Sequence, residues 1–272
     1  MRWIPIWLFV LAGQTGCVEE EERPDLIPVC EDSCDPGAGQ SGGSGPSSST
    51  TTSGTSTTSG DDPIILNGNL GVFANDRFEL DTLLPFGEPA TVFSQDPDNR
   101  VIRAEYDGLD FSLTDLVSGE ATAVLVVPDA QNGVPWPTLL RVDTLQSRTV
   151  TLPLVSSEVL NEVYAGLGSQ PALDPDRGQL ILRFSNENLD PIPGVRVEVP
   201  GAAFLAYADG SGWSEDADET DASGLVIAGN ILATDFPGSA FTVSSSGAAV
   251  SSWVVTAIKG AASYDSLIAL AP

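Results

Sequence analysis

The stretch Pro191-Ile192-Pro193-Gly194-Val195-Arg196-Val197-Glu198-Val199, with Thr220-Asp221-Ala222-Ser223-Gly224-Leu225 downstream, decides how this chain is read. Pro193-Gly194 turns the backbone. Val195, Val197 and Val199 then share one face of an extended segment, with Arg196 and Glu198 on the other, so one side packs and one side meets water. The segment 220–224 reads as a hairpin turn in which the Asp221 side chain caps its own turn and Gly224 takes positive φ. Outward from here the same grammar recurs: short β-rich segments between clusters of Gly, Pro, Asn and Asp. Strands are expected at 91–93, 101–106, 121–127, 139–143 and 148–152, then at 179–184, 195–199, 204–207, 225–228, 241–244, 253–258 and 266–270. This pattern predicts antiparallel sheets rather than βαβ units.

One helix interrupts the strands. Ser156 or Ser157 can accept the first free N–H groups, Glu158 and Glu162 suit the N-terminal half, and Val159, Leu160, Val163, Tyr164 and Leu167 form an apolar stripe. Gly166 or Gly168 ends it. The polar stretch 169–177, with Pro171 and Pro175, is the natural boundary, dividing the body into 61–175 and 176–272.

The second half resembles the carboxypeptidase regulatory-like family, a transthyretin-like β-sandwich with the pattern P-G-V-x-V, T-D-x-x-G and a P-G ahead of a strand. Here these are 193–197, 220–224 and Phe236-Pro237-Gly238 before Phe241-Thr242-Val243. The likeness spans about 178–270, and the loop 201–219 is longer than the pattern requires. The first half looks like a worn copy, with 85–92 placed like the first element and 107–113, followed by Leu116 and Gly119, like the later turn and strand. The expected fold is therefore all-β: two tandem antiparallel β-sandwich (transthyretin-like or Ig-like) domains after a disordered tether, with one short connecting helix. The resemblance implies modules without a catalytic centre of their own, and fold alone assigns no function.

The N-terminus reads as an export signal over 1–16. Arg2 is followed by an apolar run over 3–12, too short to span a bilayer, and by small residues up to Gly16-Cys17. The segment resembles the bacterial lipobox, which implies lipidation of Cys17; Gln14 stands where Leu is usual, leaving plain signal cleavage as the alternative. Two or three acyl chains hold a protein at the bilayer far better than one. Val18 replaces the Asp that favours inner-membrane retention, so the resemblance implies an outer membrane lipoprotein, or one at the cell surface or in the periplasm. The tether, 17–60, opens acidic and carries Cys30 and Cys34 as C-x3-C, which an oxidising envelope favours as a local disulfide. The run 37–60 has neither charge nor a large apolar side chain, cannot offset the entropy of ordering, and as a flexible coil spans roughly 25–30 Å.

Composition narrows the chemistry. The 272 residues carry a formal net charge of −27, and the body 61–272 holds 30 acidic against 9 basic side chains. Nucleic acid and anionic membrane surfaces need a basic footprint, so neither is an expected partner. The chain has no histidine, which removes the commonest general base, every Ser-His-Asp arrangement and the usual zinc sites. A carboxylate pair, as in glycosidases, or a Ser-Lys dyad on the single lysine, Lys259, would be the remaining routes, and no motif places either.

Two local features invite a site. Asp209, Glu215, Asp216, Asp218, Glu219 and Asp221 crowd one loop, with oxygen donors of the type calcium takes but without the order of an EF-hand; the other reading is a solvated acidic hairpin. Trp213 stands in the same loop, either as an exposed platform for a sugar face or partner protein, or folded back over a sandwich end. The sequence thus points to a non-catalytic cell-envelope lipoprotein acting as a structural or protein-interaction module. Its partners would be the bilayer, through an acylated Cys17, and an envelope protein or polysaccharide. A carbohydrate-binding or calcium-binding surface module is the alternative, and a carboxylate-dependent glycosidase a further one; no cofactor other than calcium is implied.

Overall fold

Alternating burial along Ile64–Val72 sets the first strand: Ile64, Leu66 and Leu70 point inward and Ile65, Asn67 and Asn69 outward. This is β1 of a computed structural model that describes residues 63–95, 100–117, 121–129, 135–168 and 172–268, all within one compact unit. The expected signal 1–16 and expected tether 17–60, with Cys17, Cys30 and Cys34, lie outside the described residues. After β1 come β2 (Leu84–Pro85), β3 (Ala90–Gln95), β4 (Val101–Tyr106), β5 (Phe111–Leu116), β6 (Ala121–Pro128), β7 (Thr138–Asp143) and β8 (Arg148–Leu154). The helix α1 (Ser157–Gly166) follows, then β9 (Gly178–Ser185), β10 (Val195–Glu198), β11 (Phe204–Ala208), β12 (Trp213–Ser214), β13 (Leu225–Ile231), β14 (Ser239–Gly247), β15 (Ser251–Ala257) and β16 (Ala262–Ile268). No helix among the described residues is long and apolar enough to cross a membrane.

The strands form three sheets. An outer sheet has β1 at its centre, with β8 along one edge and β5 and β2 along the other. A small sheet runs β10-β14-β15, and a long sheet of nine strands runs β12-β11-β13-β9-β16-β7-β6-β3-β4. The long sheet takes strands from both sides of the boundary near Pro175, which falls in the connection between α1 and β9. Its pairings are antiparallel except where β16 lies parallel to both β7 and β9; β1 and β8 are also parallel. Parallel neighbours need a crossover, and each of these pairs has one: β16 is reached from β15 of the small sheet, and several strands separate β1 from β8.

Two cores fill the spaces between sheets. The first lies between the outer sheet and one face of the long sheet, with Leu66, Leu113 and Leu154 facing Val92, Val124 and Leu140, and is continued over β9, β11 and β13 by α1 through Val159, Leu160, Val163 and Tyr164. The second lies between the small sheet and the opposite face of β9, β11 and β13, joining Leu180, Leu182, Phe184 and Val226 to Val195, Val197, Val243 and Val255. Strands β9 and β13 are therefore buried on both faces, which is why they read as unbroken apolar runs rather than alternations.

Local chemistry fixes the ends of these elements. Ser156 is the N-cap of α1, its Oγ accepting from Val159 N at 3.1 Å, and Gly168 leaves the helix at φ +82. The hairpin corner is built around Thr220. Its N–H donates to Val195 O at 2.9 Å, its Oγ1 donates to Ile192 O at 2.8 Å and accepts from Val195 N at 3.0 Å, and its carbonyl accepts from Gly194 N at 2.7 Å. Asp221 Oδ1 accepts from Ser223 N and Oγ, closing the turn. Gly224 takes φ +69 there, and a Cβ on it would stand 2.4 Å from Phe184 O. In β1, Gly68 allows close approach: a Cβ would meet Val150 O at 2.1 Å and the Phe111 ring at 3.0 Å.

Thr220→Val keeps the side-chain shape but leaves the buried Val195 N–H without its acceptor. Urea denaturation is expected to show a loss of about 1–3 kcal/mol, whereas an unchanged midpoint would mean the corner does not depend on that hydroxyl.

Candidate functional site

The carboxylates of the acidic loop are drawn into local turns and onto Arg196. Asp209 Oδ1 accepts from Ser211 N, Ser211 Oγ and Gly212 N at 2.7–3.0 Å, and these bonds, the Ser211 hydroxyl foremost, hold its carboxyl below the usual range. Asp218 and Glu219 both reach Arg196 Nη2 at 3.4 Å, Asp221 closes its own turn, and Asp216 donates its N–H to Ser214 Oγ. Among the described residues no three His, Cys, Asp or Glu side chains are gathered as a metal would require. Of the six side chains read as calcium donors, Asp209, Glu215, Asp216, Asp218, Glu219 and Asp221, four are engaged in turns or with Arg196: Asp209, Asp218, Glu219 and Asp221.

Trp213 follows the folded-back reading. It is 5% exposed, part of the first core, with its ring edge-on to Phe78 at 6.0 Å and its Nε1 donating to Asp76 O at 3.0 Å. The reason is β12, whose pairing of Trp213 with Ala208 of β11 turns the indole inward. Arg77 Nη2 donates to Gly210 O at 2.9 Å and straps the same loop to the segment before β2. The indole faces are not available to stack on a sugar.

A different place combines access with polar chemistry. β16 pairs with β7 from Ala262 to Tyr264, against Thr138 to Leu140, and then the two strands part. β7 continues along β6 and β16 along β9 to Ile268. At the point of divergence a cleft of about 260 Å³ opens, lined by Leu139, Arg141, Val254, Thr256, Ser263 and Asp265 among others. Arg141 crosses it, Nη1 donating to Val254 O of β15 at 3.2 Å. Ser263 is 3% exposed, and its buried Oγ has no hydrogen-bond partner among the described residues. Asp265 is 9% exposed; burial pushes its carboxyl up to about 6, opposed by the charge of Arg141 and the Ser266 N–H.

The cleft therefore offers a donor in Arg141, an acceptor in Asp265, and a hydroxyl that can be either. It suits a polar group that both gives and takes hydrogen bonds. Sequence reading passed over these residues because the last strand was expected to start at Ser266. The signal was present: Ser263 and Asp265 share the parity of Leu267, placing polar groups on an inward face of a strand.

No protein-family model matches the chain, and no curated protein does. Among solved structures, a streptococcal ancillary pilin is similar at 10% identity and TM-score 0.25, covering 76% of this chain and 69% of its own. A shaft pilin from Lactobacillus rhamnosus GG is similar at 10% identity and TM-score 0.23, covering 77% and 100%. The full-length major pilin of Streptococcus pneumoniae is similar at 10% identity and TM-score 0.22, covering 78% and 48%.

Two outcomes follow from the geometry. Trp213→Ala should lower stability by about 3–5 kcal/mol in urea denaturation, as for a large core aromatic; a change under about 1 kcal/mol would return the ring to the surface. Asp265 titrates higher folded than unfolded, so between about 4 and about 6 the folded state binds more protons and stability falls as pH rises. Asp265→Asn should remove that slope and gain about 2–3 kcal/mol at pH 7–8, read as the difference between wild-type and variant stability curves.

Proposed function

We propose that this chain is a non-catalytic cell-envelope module that works by surface contact, held at the membrane through an acylated Cys17, with the segment 17–60 standing the body away from the bilayer. The observation that carries the reading is the long sheet: its nine hydrogen-bonded strands come from both 61–175 and 176–272, so the two proposed modules present their surfaces in one fixed arrangement. The turn chemistry at Gly194, Thr220 and Gly224 supports likening 176–272 to the carboxypeptidase regulatory-like sandwiches. The histidine-free composition supports contact rather than catalysis. The Gly16-Cys17 signal and Val18 support an exported protein at the outer membrane or cell surface.

Expression with radiolabelled palmitate in a Gram-negative host tests the anchor. The wild-type chain is expected in the membrane fraction carrying label, and Cys17→Ala in the soluble fraction without it. Recovery of the wild-type chain as an unlabelled soluble protein would refute the anchored reading.

A further inference from the structure

Sheet edges are where a folded chain can accept another strand, and the two edges of the small sheet are finished differently. On β10 the outward main chain is already engaged. Thr220 takes both the N–H and the C=O of Val195, and the Tyr207 hydroxyl accepts from Val197 N at 3.0 Å and lies 3.4 Å from Val197 O. On β15 the outward carbonyl of Val254 meets a long side chain instead, the guanidinium of Arg141.

The register shows how much of β15 is turned outward. In an antiparallel ladder the N–H and C=O of one residue point the same way and alternate from residue to residue. With Val254 O directed away from β14, Ser252 and Thr256 also turn their main chains outward, while Trp253 and Val255 bond back to Val243 and Phe241. Ser251–Ala257 contains no proline and no charged residue, the devices that usually close an edge, and the Val254 side chain is 60% exposed.

Beneath this edge lies the cleft. A further strand beside β15 would run above β16 and β7, where the second core ends and the inward-facing Leu139 and Leu125 begin a smaller apolar cluster with Ile258. Arg141, Ser263 and Asp265 would face it from below. A peptide group can replace the bond between Arg141 and Val254 on both sides, offering a carbonyl to the guanidinium and an N–H to Val254 O. The occupant's charge follows from the chain's own: a net −27, and a buried carboxylate at the groove floor, select a basic segment over an acidic one.

We infer that the edge of β15, unpaired among the described residues, with Arg141, Ser263 and Asp265 below it, is a docking groove for an extended basic segment of a partner protein, which adds a strand to the small sheet. This rests on the contact reading given above and specifies its surface. On docking, Arg141 moves from Val254 O to a carbonyl of the incoming strand, the incoming N–H takes its place, and a Lys or Arg directed downward reaches Asp265 and Ser263. Keeping an ionisable carboxyl buried there lowers the stability of the free protein, as expected of a group positioned for a ligand.

The test uses the full chain and a phage-displayed library of random short peptides. Recovered peptides should be rich in β-branched residues and contain Lys or Arg, and their affinity should fall about tenfold or more on Val254→Pro and on Asp265→Asn. The proline removes an outward N–H while leaving the pairing with β14; the Asn variant, more stable by the argument above, guards against loss of binding through unfolding. Peptides bound equally by wild type and both variants, recovered peptides without basic residues, or recovery of no peptide would each overturn the groove. Those outcomes leave the anchored surface module standing, because palmitate labelling and fractionation test that separately.

Discussion

The parallel insertion of β16 between β7 and β9 is the constraint on which the body depends. Buried main-chain groups must be paired, and an interior strand has both its edges to satisfy. β16 does so along its whole length with β9 and over its first residues with β7, tying 61–175 to 176–272 through backbone hydrogen bonds. Side-chain packing follows the same line. Ala262 and Tyr264 belong to the first core and Leu267 to the second, so one short strand borders both. The cleft is the geometric remainder of this arrangement, since β7 and β16 each keep their outer partner and separate where the shared register stops.

Burial on both faces of β9, β11 and β13 explains the layering. A two-layer sandwich leaves each sheet one wet face. Here the outer sheet and α1 cover one side of the long sheet's middle and the small sheet the other. Tyr164 joins the helix to this layer twice: its ring is edge-on to Phe204 at 5.2 Å, and its hydroxyl bonds Gln179 Oε1 at 2.5 Å. Burial pushes that phenol well above its ordinary value, so it stays protonated and keeps donating.

Much of this was legible in the sequence. The strand 101–106 and the helix with its Ser156 cap follow from period and capping alone, and the corner 193–197 with 220–224 follows from turn chemistry. What escaped did so for identifiable reasons. β1 was masked by Asn67, Gly68, Asn69 and Gly71, turn-forming residues tolerated because β8 and Phe111 crowd against Gly68. β16 was shifted because Ser263 and Asp265 look like loop residues until the strand is seen to line a cleft. Trp213 was read from its polar neighbours in sequence, whereas its fate was set by Phe78 and Asp76, far upstream. Period and turn signals are local. Parallel pairing and the choice of which face meets which sheet are not.

Chain order adds a temporal consequence. The strand that completes the long sheet comes after every other described strand, so during N-to-C synthesis β7 and β9 each wait with one edge unmatched until residues 262–268 have been made. Closure of the body is therefore a late event, set by when β16 leaves the ribosome.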